Sequence, residues 1–169
     1  MIKSTVIIDG SNFYHGCKYL NPNTHLTNFD YRKLVESITK NKPNILYCVG
    51  EIKKVFGDKK SEQMYAQQQS LFYNLEKQKI SIYKGFMLKS DGKYHEKGVD
   101  VKIAVEIVAG ALKNKYDVCY LFSSDTDIIP AIIEAKKAGK MVVYAGFEKR
   151  LSRAMIKNCN KTIMITSKI

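Results

Sequence analysis

Six short runs rich in β-branched and aromatic residues recur along the chain, near Thr5 to Ile8, Ile45 to Val49, Ile80 to Tyr83, Val118 to Phe122, Met141 to Tyr144 and Thr162 to Ile165. The segments between them are long enough for helices, and strands separated by helices pair in parallel, so the spacing predicts an α/β fold with a mainly parallel central sheet. Residues 31 to 40 and 61 to 78 read as amphipathic helices, the second opened by Ser61 as N-cap with Glu62 in its first turn. Residues 99 to 114 are apolar on nearly every side, which suits a helix packed between the sheet and another element and makes Asp100, at its start, unusual. A further helix follows Asp127, with Pro130 in its first turn and Gly139 as its stop. Ser90-Asp91-Gly92, flanked by Phe86-Met87-Leu88 and Lys93-Tyr94, predicts a hairpin or mobile flap.

With 169 residues, 45% of them hydrophobic, the chain suits one domain over 1–169, and no repeat or linker divides it. Cys17, Cys48, Cys119 and Cys159 are far apart and form no Cys-x-x-Cys pair, which argues for buried reduced thiols in a cytoplasmic protein and against a zinc site. The first strand begins within a few residues of Met1, and no apolar run approaches the roughly 18 residues of a membrane span, so neither a signal peptide nor a membrane partner is expected.

The formal charge is +12, and after Glu148 the chain carries Lys149, Arg150, Arg153, Lys157, Lys161 and Lys168 with no further acid. Such a surface attracts polyanions by releasing counterions, although a solvated face that binds nothing has the same composition. The acids decide between these. Asp9-Gly10-Ser11-Asn12 follows the first strand and Ser123-Ser124-Asp125-Thr126-Asp127 follows the fourth, at the carboxyl ends where ligands bind in open α/β sheets. Asp100 opens a helix that can enter the same crevice.

Carboxylates pressed together repel unless protonated or neutralised by cations. Hard oxygen ligands without a Cys or His triad favour Mg²⁺ or Mn²⁺, which can polarise a phosphate oxygen and activate water. Asp and Asn are also common caps and turn residues, and Asp127 is expected as the N-cap of the helix it precedes, leaving Asp125 as the better ligand. The Asn12 amide is placed to orient a water or a phosphate. Tyr83-Lys84-Gly85-Phe86 and Lys93-Tyr94-His95 interleave rings with cations, a composition suited to stacking unpaired bases while holding a backbone. Lys84 and Tyr94 are the candidate contacts. Asp117 precedes its strand and belongs at the opposite end of the sheet.

Through Val6 to Tyr14, Glu96 to Glu106, Leu121 to Pro130 and the strand Gly139 to Tyr144, the sequence resembles the NYN family, the LabA-like branch of the PIN-like nuclease superfamily. The resemblance implies a three-layer α/β/α, PIN-like and Rossmann-like fold. It also implies a Mg²⁺- or Mn²⁺-dependent ribonuclease, with Asp9, Asp100, Asp125 and Asp127 as catalytic and metal-holding acids. The family's Asn and Lys match Asn12 and Lys97, which would contact the scissile phosphate of a single-stranded or structured RNA. Glu106, six residues beyond Asp100 on another helix face, is left out of the metal set. Pairing into a homodimer, as related PIN-like proteins often do, would juxtapose two basic grooves.

The alternative is an RNA-binding module that keeps the fold and a metal site without turnover. Asp9-Gly10-Ser11 also resembles the start of a von Willebrand A-type adhesion site, but that site needs serine where this chain has Phe13. A haloacid dehalogenase pattern would need a second Asp where Ser11 stands.

Overall fold

Each β-branched run forms a strand, and the helix after it returns the chain so that the next strand lies parallel. The computed structural model describes the backbone of residues 2–90 and 93–167, and the side chains of these except at 89, 90, 93 and 94. In chain order the elements are β1 (Ser4–Asp9), α1 (Gly10–Leu20), α2 (Tyr31–Thr39), β2 (Asn44–Glu51), α3 (Lys59–Lys77), β3 (Ser81–Ser90), β4 (Lys93–Lys97), α4 (Val99–Leu112), β5 (Val118–Phe122), α5 (Ile129–Lys137), β6 (Met141–Phe147), α6 (Arg153–Asn158) and β7 (Lys161–Ile165). Short 3-10 turns at Leu26–Asn28 and Thr126–Ile128 lead into α2 and α5.

The strands form a seven-stranded sheet in the order β4-β3-β2-β1-β5-β6-β7, parallel throughout except between β3 and β4. From β1 the chain steps outward to β4, then crosses back to the other side of β1 as β5. The order therefore reverses between β1 and β5, whose registers set Ile8 between Tyr47 and Phe122. At such a switch point the connections diverge and leave a crevice beyond the strand ends.

Alternation along the strands sends side chains to two faces. On one, Val6, Ile8, Ile45 and Tyr47 pack with Phe13 of α1, Tyr31 and Leu34 of α2, and Phe72 of α3. On the other, Ile7, Cys48, Cys119 and Leu121 pack with Ile103 and Ile107 of α4, Ile132 of α5 and Met155 of α6. The result is the expected three-layer α/β/α arrangement. Phe13 seats the start of α1: its ring lies 5.8, 5.4, 5.9 and 5.5 Å from those of Phe29, Tyr31, Phe122 and Phe147. Truncating it to alanine would cost about 3–5 kcal/mol and loosen the turn that carries Asn12.

Local differences from the sequence reading have identifiable causes. The N-cap of α3 is Asp58, not Ser61, and the helix begins at Lys59. The Asp58 carboxylate accepts from the amides of Lys60 and Ser61, and an anion is the stronger partner for a helix N-terminus. Ser61 Oγ instead accepts from Val55 N at 2.9 Å and donates to Lys53 O at 3.2 Å. The run at Ile80 to Tyr83 continues as far as Ser90, because β3 pairs with β2 through Phe86 and with β4 from Phe86 to Ser90. The hairpin is therefore a sheet edge, and its tip, Asp91 and Gly92, lies outside the described residues. The short α6, capped by Ser152 Oγ on Met155 N, was not legible in the sequence. All four cysteines are free and buried. Among the described residues no helix is long and apolar enough to cross a membrane.

Candidate active site

Asp9 ends β1 and caps α1, and its carboxylate is held on every side by this chain. Oδ1 accepts from Asn12 N at 3.0 Å; Oδ2 accepts from Asn12 Nδ2 at 2.6 Å and from Ser123 Oγ at 2.8 Å. The residue is 2% exposed. Burial pushes its proton affinity up, the hydrogen bonds from Asn12 and Ser123 oppose this, the charge of Asp125 adds to it, and the net shift is upward.

The β5 loop closes on the same point. Asp125 N donates to Ser123 Oγ at 3.1 Å, and Ser124 N donates to Asn12 Oδ1 at 3.2 Å. The Asn12 amide is thus engaged at both ends, with Asp9 on one side and the loop on the other. Asp125 Oδ1 accepts from Asp127 N at 2.8 Å, so Asp125, not Asp127, caps the turn before α5. The expected division of labour is reversed: the 3-10 turn places the cap two residues earlier and leaves the Asp127 side chain exposed.

Asp100 reaches this region from the opposite flank. Gly98 opens α4 in the left-handed region, φ 84°, which favours glycine, and puts Asp100 in the first helical turn. Partial removal from solvent, then the like charges of Asp125, Asp9, Glu96 and Asp127, push its carboxyl up to about 6.

Glu96 is the acid that the sequence reading left without a role. It stands on β4 opposite Met87, and its carboxylate lies across the end of β2. Oε2 accepts from Gly50 N at 2.5 Å, and Ser11 Oγ lies 3.4 Å from both carboxylate oxygens. A Cβ at Gly50 would come within 2.8 Å of Glu96 Cγ, Glu96 Oε2 and Met87 Sδ, so glycine there is what admits the side chain. Burial, then the charge of Asp9, raises the proton affinity of Glu96 against the pull of its hydrogen bonds. A glycine inside a strand marks close approach of another group, and Gly50 was the available signal.

The other candidates fall in separate places. Lys97 is exposed on β4, next to Glu96. Lys84 is on the α3 side of the sheet, 3.2 Å from Glu51 and 4.5 Å from the Phe72 ring centroid, away from the acids. The Tyr94 side chain lies outside the described residues. Glu106 is paired with Lys102 at 2.7 Å.

The acids share an electrostatic field more than a coordination sphere. Among the described residues no three His, Cys, Asp or Glu side chains are close enough to enclose a metal ion. The donor chemistry nevertheless fits a hard divalent cation: carboxylate oxygens that raise one another's proton affinity, without an ammonium or guanidinium among the causes of those shifts.

The NYN domain family model matches residues 3–166, nearly the whole chain. NYN domains are generally nuclease-like and typically ribonucleases. The fold is similar to the crystal structure of a protein of unknown function from Vibrio parahaemolyticus, with a TM-score of 0.67 and 17% identity, covering 99% of this chain and 95% of that one. That likeness shows the fold alone, a mostly parallel seven-stranded sheet flanked by helices. No curated protein sequence matches the chain.

Proposed function

This chain belongs to the NYN domain family, and on that premise we propose that it is a ribonuclease that hydrolyses RNA phosphodiester bonds with Mg²⁺ or Mn²⁺. The supporting observation is that Asp9, Asp100, Asp125 and Asp127 lie at the switch point within one another's electrostatic reach, with no cation among the causes of the Asp100 shift, in a chain of net charge +12. Asp100, Asp125 and Asp127, with Asp9 beneath them, would hold the ion. When bound, such a cation supplies Lewis-acid polarisation of a phosphate oxygen and a lowered pKa for water. Asn12 acts as a positioning residue, fixing Asp9 against the β5 loop through both ends of its amide. Glu96 adds negative charge from the β4 side, and Lys97 beside it, exposed on the strand, would approach a phosphate.

Two observations favour a second reading, an RNA-binding module without turnover: the Asp9 oxygens are already engaged by hydrogen bonds, and no metal cluster is closed among the described residues. Incubation of single-stranded and structured RNAs with Mg²⁺, Mn²⁺ or EDTA separates the two. Asp100→Asn and Asp125→Asn proteins, purified identically, serve as comparison. Metal-dependent cleavage lost in both variants supports the ribonuclease; intact RNA with salt-sensitive binding supports the module.

A further inference from the structure

The outer face of α1 leads away from the acids. Asn12, His15 and Tyr19 recur at i, i+3 and i+7, so they share one side of the helix, with Tyr19 about 10 Å along the axis from Asn12. The rings of Tyr14 and His15 meet edge to face at 5.3 Å, and Tyr14 and Tyr19 are 47% and 54% exposed.

The loop after β6 runs beside this face. Phe147 packs on Gly16 so closely that an added Cβ would fall 2.2 Å from the ring, which seats the loop directly on α1. Arg150 then lies over the Tyr19 ring, its guanidinium carbon 5.7 Å from the centroid. Lys149 in this loop and Arg153, the first residue of α6, stand exposed, and no acid follows Glu148. The loop is also tied to the acids. Tyr144 Oη lies 2.7 Å from Ser124 Oγ and accepts from Ser152 N at 3.2 Å, while Ser124 N donates to Asn12. Rings and cations are thereby held at a set distance from Asp9 and Asp125.

We propose that α1 and the loop after β6 form a binding strip for single-stranded RNA leading away from the acid cluster. An unpaired base stacks at Tyr19 and Arg150, and phosphates meet Lys149 and Arg153. Exposed rings alternating with cations match a polyanion with free π-faces, since stacking needs bases released from a duplex. The choice of RNA rests on the ribonuclease reading, but the strip uses none of the acids.

The test is fluorescence anisotropy of a fluorescein-labelled oligouridine with the full chain in EDTA, over a range of salt concentrations. Tyr19→Ala is expected to weaken binding roughly 5- to 100-fold, and Tyr19→Phe to restore it. Lys149→Ala and Arg153→Ala should each reduce the slope of log affinity against log salt by roughly 0.7. Lys113→Ala, at the far end of α4, serves as a control that keeps wild-type binding. Melting temperatures distinguish lost packing from lost recognition. Unchanged affinity in both Tyr19→Ala and Arg150→Ala overturns the strip, as does wild-type protein that fails to bind the oligomer. Metal-dependent cleavage of the same RNA by wild type, at saturating concentration, reports separately on the ribonuclease reading.

Discussion

Asp117 and Asp100 sit at opposite ends of the sheet in opposite circumstances. Asp117, just before β5, accepts from Lys3 N at 2.8 Å and lies 3.6 Å from Lys140 Nζ. Those partners hold its carboxyl below the usual value. No cation is among the causes of the Asp100 shift; partial burial and neighbouring acids push its carboxyl up to about 6. At the amino ends of the strands, charge is balanced locally and serves the fold. At the carboxyl ends the acids raise one another's proton affinity, which costs stability.

The largest expected effect tests that contrast directly. Asp100→Asn should reduce metal-dependent RNA cleavage about 10- to 100-fold, while Asp117→Asn leaves the rate unchanged; equal losses in both would erase the distinction. Next comes Gly50→Ala, whose methyl must displace Glu96 or Met87. A cost of about 1–3 kcal/mol is expected in denaturant unfolding, with a loss of cleavage from misplacing Glu96.

Glu96→Gln should sharpen the comparison by removing one like charge. The Asp100 carboxyl is expected to titrate below about 6 in that variant, followed by NMR of the side-chain carboxyl. The smallest effect is on stability against pH. Because Asp100 binds its proton more tightly folded than unfolded, its contribution is present below the ordinary carboxylate value and is lost as pH rises toward about 6. Asp117 has the opposite sign, stabilising at neutral pH and losing that contribution as pH falls through its depressed value. In EDTA, the melting temperature of Asp100→Asn relative to wild type should therefore be higher at pH 7 than at pH 4. Mg²⁺ should raise that of wild type more at pH 7.

The strands were legible because β-branched runs carry their own period, and so was the placing of two acidic motifs at their carboxyl ends; the reversal of strand order between β1 and β5 needed the observed pairing. What escaped depended on competition or on distant contact. Asp58 against Ser61, and Asp125 against Asp127, are contests between neighbouring caps that a residue count does not decide; helix geometry decides them. Glu96 could not be placed without the register of β3 and β4, which swings it over Gly50, 46 residues away in sequence. Lys84 and Lys97 were both candidates for RNA contact on different grounds, and the fold separates them: Lys84 is paired with Glu51 and lies over the Phe72 ring, while Lys97 is exposed beside Glu96.

The crossover from β4 back to β5 also governs when the acids can meet during synthesis. Asp9 is translated early, yet its partner Ser123 comes 114 residues later. A growing chain that stops short of β5 has one wall of the crevice, an Asp9 carboxylate lacking its Ser123 partner and no Asp125. Under the ribonuclease reading, the acid set is therefore incomplete until β5 and the loop after it have been made.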